Sequence, residues 1–266
     1  MTTVLMVSGA CCARVHKQAQ ALRERGWRVE SLSWNPPAIP AAFDRHSVTD
    51  RACMVAHILA SQADIIHVHN GPDELMLHAA RGARGRPVVY DCHDLYYHRT
   101  GRVSRNEAFA FRRADGIVNV SPEYRDVAFG LHPWTCPEAV VMSCPPRAWA
   151  PAPAGARSGA VYEGGLVRPG HRMDWRDLSP VTRAFERAGV PLDLYVKPRM
   201  ARWYPRVQGR LPYLELLRRL ARYEFGWIGT AGPGEKGEAA VPNKLWDYAA
   251  AGVVPVICNR PAAAAA

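Results

Sequence analysis

The feature that most constrains this chain is a rhythm: short apolar runs alternate with helical stretches, and the alternation is interrupted once and then resumes. "TVLMVSGA" reads as a strand running into a turn of small residues. In "ARVHKQAQALRERG" (13–26), Val15, Ala19 and Leu22 recur at helical spacing and Gly26 stops the helix, after which "WRVESLSW" (27–34) is a second strand. Strand, helix, strand in this order predicts a parallel sheet. The pattern continues with strands in "ADIIHVHN", "RPVVYDCHD", "DGIVNVS" and "AVVMS", and helices in "DELMLHAARGA", "RNEAFAFRRA" and "PEYRDVAFG". Unbroken apolar runs such as Val-Val-Tyr fit strands buried on both faces.

The interruption is "CPPRAWAPAPAGARSG" (144–159), dense in Pro, Ala and Gly, which is linker composition. Beyond it the rhythm restarts in "AVYEGG", "LSPVTRAFERAG", "LDLYV", "LPYLELLRRLA", "EFGWIG", "VPNKLWDYAAAG" and "VVPVICN". The expectation is two doubly wound α/β domains, residues 1–145 and 159–266, joined by a linker over 146–158. The second is short at its C-terminus, where the last strand runs into "RPAAAAA" and Ala262–Ala266. Ligands of such sheets bind at the carboxyl ends of the strands, which makes the cleft faced by both domains the expected site.

Composition narrows the class. The formal net charge is +10, and lysine occurs only at 17, 197, 236 and 244, so the basic residues are overwhelmingly arginine. A positive balance favours polyanionic partners: nucleotide phosphates, nucleic acid or an anionic membrane surface. No apolar run approaches the roughly 20 residues that span a bilayer, and the N-terminus lacks the pattern of a secretory leader. Seven cysteines without a Cys-x-x-Cys pair suit reduced thiols. A cytoplasmic protein, in places peripheral to the inner membrane surface, is expected.

Three stretches can carry chemistry. In "IIHVHN", His67 and His69 alternate and so share one strand face, and Asp91 and His93 do the same in "YDCHDLYYH". Such a group suits either a hydrolytic metal site or packed histidines. "SGACCAR" is too poor in glycine for a phosphate loop. Its helix start can still hold an anion, with Arg14 either helping or simply solvated. The third stretch, "GTAGPGEKGEAAVPNK", is a long glycine-rich loop entering a helix N-terminus, where free amides, Lys244 and Lys236 make a pyrophosphate cradle. The plainer alternative is a surface ion pair between Lys244 and Asp247, one helical turn apart.

At these residues the sequence resembles the GT-B glycosyltransferases, specifically the retaining family 4. "AVYEGGL", "LPYLELLRRLARYEFGWI" and "VPNKLWDYAAAGVVPVI" resemble its donor domain, while "RVHKQAQALRERGWRV", "ADIIHVHN", "PVVYDCHDL" and "DGIVNVSPEY" resemble its acceptor domain. The resemblance implies transfer of a sugar from a UDP- or GDP-linked donor, with retention and no obligatory metal or other cofactor. It implies donor contacts from Gly9, Gly165, Glu238, Asn243, Lys244 and Asp247, with Lys244 on the diphosphate and Asp247 on the ribose where the family usually has Glu. It places His93 and Asp94 near the reacting sugar, Arg168 and Arg172 on the leaving group, and Arg14, His69 and Asn70 on the acceptor side. The acceptor is left open between a small molecule, a glycan and modified DNA, and a non-catalytic nucleotide-sugar-binding protein of the same fold is the competing reading.

Overall fold

The computed structural model describes residues 1–153, 155–171, 176–229 and 242–258. Arg172, the loop bearing Lys236 and Glu238, and the tail Ala262–Ala266 lie outside the described residues. The chain divides into two compact units, Met1–Ser143 and Cys144–Ala266. Among the described residues no helix is long and apolar enough to cross a membrane.

The first unit is built on a parallel sheet of β1 (Thr3–Ser8), β2 (Arg28–Ser33), β3 (Arg45–Val48), β4 (Ile65–His69), β5 (Val88–Cys92), β6 (Gly116–Asn119) and β7 (Glu138–Val140), in the spatial order 3-2-1-4-5-6-7. Helices α1 (Ala13–Glu24), α2 (Met54–Ala60), α3 (Leu75–Gly82), α4 (Tyr96–Thr100), α5 (Arg105–Arg113) and α6 (Pro122–Leu131) connect the strands. The register stacks one apolar row across the middle: Val7 opposite Val68, Val68 opposite Tyr90, Tyr90 opposite Ile117, all essentially sealed from water. Each such side chain contributes about 1.5–3 kcal/mol by burial, which explains why these runs carry no polar alternation. Three elements go beyond the sequence expectation: β3, α2 and α4. Strand β3, "RHSV", is an exposed sheet edge without a buried face, so its residues show no hydrophobic period.

The second unit holds a four-stranded parallel sheet of β8 (Ala160–Glu163), β9 (Leu192–Tyr195), β10 (Phe225–Gly229) and β11 (Val254–Cys258), ordered 11-10-8-9. Helices α7 (Ser179–Arg187), α8 (Tyr213–Leu220) and α9 (Asn243–Ala251) accompany it. Helix α9 follows Pro242 and stops at Gly252, which takes the left-handed conformation at φ 67°. Leu245, Tyr248 and Ala251 are buried along it in one cluster with Leu217 and Leu220 of α8. Tyr248 fixes its seat on the sheet: the hydroxyl donates to the Val161 carbonyl at 3.3 Å and accepts from the Glu163 amide at 3.3 Å.

That seat needs a strand residue without a side chain. A Cβ on Gly226 of β10 would stand 2.5 Å from the Tyr248 ring. Gly226→Ala therefore forces helix and strand apart, and overpacking of this kind costs about 1–3 kcal/mol. We expect a loss of that size in urea unfolding, with recovery in the double variant Gly226→Ala/Tyr248→Leu. An unchanged midpoint in the single variant would show that α9 slides freely.

Candidate functional site

In the first sheet β1 and β4 are neighbours, yet the chain leads from β1 toward β3 on one side and from β4 toward β7 on the other. Ligands of open α/β sheets bind at the carboxyl ends of the strands where the order reverses. The residues just beyond β1, β4 and β5 meet there, and Asp91 is their centre. His69 and Asp91 are direct partners in the β4–β5 register, which puts their side chains on one face.

Asp91 is fully buried and pairs with Arg14, which is 1 % exposed. The guanidinium grips it with two bonds, Nε to Oδ1 at 2.8 Å and Nη2 to Oδ2 at 2.9 Å, and Gln18 Nε2 donates to Oδ2 at 2.7 Å. Arg14 also donates through Nη1 to the Val141 carbonyl at 2.7 Å, and one turn along α1 Lys17 donates to the Ser143 carbonyl at 2.6 Å. The expectation of a solvated Arg14 is thereby corrected: it is a structural cation inside the unit. Burial alone would raise the Asp91 carboxyl, but Arg14 and the histidines around it hold it well below the usual carboxylate range.

His93 is the half-buried rim of this cluster. Its Nδ1 lies 3.0 Å from Asp91 Oδ1 and its Nε2 lies 3.9 Å from the Cys12 sulfur. Burial works against its charge, yet the Asp91 hydrogen bond and then Cys12 outweigh that and raise it to about 10. Asn70 fixes the loop: Oδ1 accepts from the His93 amide at 3.1 Å and Nδ2 donates to the Asp94 carbonyl at 2.9 Å. His69 behaves oppositely to His93. Sealed at 1 % exposure, its pKa is driven well below the ordinary value by burial despite the nearby Asp91, so it is neutral. It stacks on His67 at 4.7 Å.

Donor atoms of His67, His69 and Asp91 lie within 4.8 Å of one another, close enough to hold a metal. The charges argue against it. Both Asp91 oxygens already accept hydrogen bonds from Arg14, Gln18 and His93, and a dication would stand beside a buried guanidinium. The cluster reads as an ion-pair network with histidines around it.

The second sheet reverses order between β8 and β10, and the Gly164–Gly165 turn leaves β8 there. The Lys244 ammonium sits 3.9 Å above the Tyr162 ring, and a Cβ on Gly164 would lie 3.5 Å from it. The lysine thus leans from the first turn of α9 onto the end of β8. Asp247, buried one turn later, accepts a 2.5 Å hydrogen bond from Tyr213, and burial followed by that carboxylate pushes the Tyr213 hydroxyl far above its ordinary pKa. Asn243 is exposed at the helix start and gives no side-chain cap.

Other expected residues distribute unevenly. Arg168 is exposed in the loop after the Gly-Gly turn. Arg176, which sequence reasoning passed over, instead brings its guanidinium to 3.2 Å from where a Cβ on Gly165 would stand. Gly9 serves packing: a Cβ there would meet Pro72 at 2.8 Å and Trp34 at 3.1 Å. Cys12, Gln18 and Tyr162 were also missed. For Cys12 the available signal was a thiol immediately before a helix start, a place that favours thiolate.

With this geometry in view, comparison with known proteins is informative. The pattern of Glycosyltransferase Family 4 matches residues 13–133, and no curated protein matches the sequence. Among solved structures the chain is similar to Anabaena HepE in complex with UDP-glucose, at 14 % identity and TM-score 0.69, covering 100 % of this chain and 82 % of that one. It is similar to a glycosyltransferase involved in avilamycin A biosynthesis, at 14 % identity and TM-score 0.63, covering 99 % and 81 %. It is also similar to sucrose-phosphate synthase from Thermosynechococcus elongatus, at 11 % identity and TM-score 0.61, covering 92 % and 79 %. The likeness to these structures shows a GT-B fold, and the Glycosyltransferase Family 4 pattern lies on the first unit.

The Arg14–Asp91 pair makes a direct prediction. Breaking a buried pair from one side costs about 3–5 kcal/mol, so Asp91→Asn should lose that much in urea unfolding at pH 7. Because the Asp91 pKa is depressed on folding, its contribution is complete above about pH 5 and lost as the pH falls through the folded value. The gap between wild type and variant should be widest at about pH 5 to 6, narrow as the pH rises above about 6.5 because Asp91 is what raises His93, and close in strong acid. A gap that widened in strong acid would contradict the assigned charges.

Proposed function

We propose that this protein transfers a sugar from a nucleotide-sugar donor to an acceptor hydroxyl, the second unit binding the donor and the first the acceptor. The observation that carries the proposal is the position of Lys244. An ammonium at the positive end of a helix is disfavoured by about 0.3–1 kcal/mol, yet here it is drawn onto the turn after β8, beside the amides that open α9. A diphosphate lying on that turn would reconcile the lysine with the helix dipole. HepE, of similar fold, was solved in complex with UDP-glucose.

On this reading Lys244, the α9 amides, Arg168 and Arg176 neutralise the charge that grows on the departing nucleoside diphosphate, the largest electrostatic demand of the reaction. Basic side chains supply that charge, so no metal is obligatory. Asp247, oriented by Tyr213, takes the ribose hydroxyls. His93, raised to about 10, is protonated at neutral pH and so donates a hydrogen bond to a sugar or acceptor oxygen; it is not the general base. Asp91 is held by Arg14 and so is not a free nucleophile, in keeping with front-face attack and retention.

Calorimetric titration with UDP and with GDP tests the donor site. One nucleotide should bind the intact chain, and Lys244→Ala should weaken it by about ten- to a hundredfold, the value of a charge-assisted hydrogen bond of about 1.5–3 kcal/mol. Absence of binding by both nucleotides, or equal affinity in the variant, would sink the proposal.

A further inference from the structure

Sugar transfer as described makes no use of Cys12, yet the first unit places this thiol with care. It occupies the N-cap of the twelve-residue helix α1, with no side-chain cap bond of its own. Its sulfur faces His93 Nε2 at 3.9 Å, and His93 Nδ1 faces Asp91 at 3.0 Å. We propose that Cys12 is an activated thiolate, held in a Cys12–His93–Asp91 relay and open to covalent modification by small soft electrophiles, of which hydrogen peroxide is the simplest.

Several independent features converge on it. Arg14 locks Asp91, and Asp91 in turn holds Nδ1, so the imidazole can only present Nε2 to the sulfur. The helix start adds its positive end. Burial alone would raise the Cys12 pKa, but the hydrogen bond and charge of His93, helped by the Val15 and Arg14 amides, bring it below the ordinary value. Behind His93, with ring centres 6.1 Å apart, lies His69, whose two buried nitrogens make no hydrogen bond among the described residues, Nδ1 standing 3.9 Å from Asp91 Oδ1. Those nitrogens are spare hydrogen-bonding capacity close to the relay. Other thiols are treated differently: Asp50 raises the exposed Cys53, and burial raises Cys92.

With peroxide, the Cys12 sulfur attacks one oxygen, and an S–O bond forms as the O–O bond breaks. The departing hydroxide takes the Nε2 proton of His93 and leaves as water, so the products are a sulfenic acid and a neutral imidazole. The oxygen added to a sulfur 3.9 Å from His93 Nε2 engages the group assigned above to sugar binding, and oxidation therefore stops transfer. That last consequence rests on the proposed function; the reactivity of the thiol does not.

The test is competitive labelling of the full chain with limiting iodoacetamide, read by peptide mass mapping between pH 5.5 and pH 9. The groups facing the sulfur are His93, Asp91 behind it, Arg14 on the same helix and His69 on β4. At pH 6.5 Cys12 should be carbamidomethylated at least about tenfold faster than Cys53 although Cys53 is the more exposed, since thiolate is the reacting species. In urea the two rates should converge. His93→Gln should bring Cys12 down to the Cys53 rate and move its pH profile upward, and dimedone should trap Cys12 after peroxide treatment. Labelling of Cys53 ahead of Cys12 in the folded wild type overturns the proposal without recourse to any variant. So does a Cys12 profile unmoved in His93→Gln that still unfolds cooperatively. If UDP and GDP fail to bind while Cys12 labels as stated, the transferase reading falls and the thiol site stands.

Discussion

The buried salt bridge between Arg14 and Asp91 organises the first unit. Taking both ions out of water is costly, and their attraction offsets that only if nearly every hydrogen-bonding position is filled. Here they are filled by Gln18, His93 and the Val141 carbonyl. The consequence is mutual restraint: α1 cannot rotate without unpairing Asp91, and β5 cannot shift without stranding Arg14. His93 inherits its orientation from that restraint, and its charge follows from its neighbours. A neutral His69 and a protonated His93, close together on one carboxylate, show that position relative to Asp91 and water decides the state of each ring.

The second unit solves a similar problem with an aromatic ring. Lys244 is set against the macrodipole of its own helix, and the face of Tyr162 returns about 0.5–2 kcal/mol of that cost. Asp247 is satisfied separately by Tyr213. Each of the two charged residues of α9 is thus committed to a different aromatic, and the plain picture of a lysine–aspartate surface pair does not describe them.

The sequence displayed the alternation of strands and helices, because strands buried on both faces must be apolar throughout and connecting helices must carry a stripe. It concealed what lacks such a period: the edge strand β3, the short α2 and the five-residue α4. Alternation in "IIHVHN" and "YDCHD" also disclosed the histidines and Asp91 as a group. Arg14 was opaque, since a charged residue in a first helical turn is ordinarily solvated and its partner lies 77 positions away. Arg176 and Tyr213 were hidden for the same reason: their partners are supplied by folding, with no spacing rule to announce them.

One feature of α1 reaches beyond chemistry. Arg14 and Lys17, one turn apart, hold the carbonyls of Val141 and Ser143, the last residues of the first unit. The helix that carries the chemistry near the beginning of the chain is therefore also the clasp on the strand by which the chain leaves that unit. Anyone recombining this unit with relatives, or permuting its order, would have to move residues 13–24 and 138–143 as one inseparable cassette.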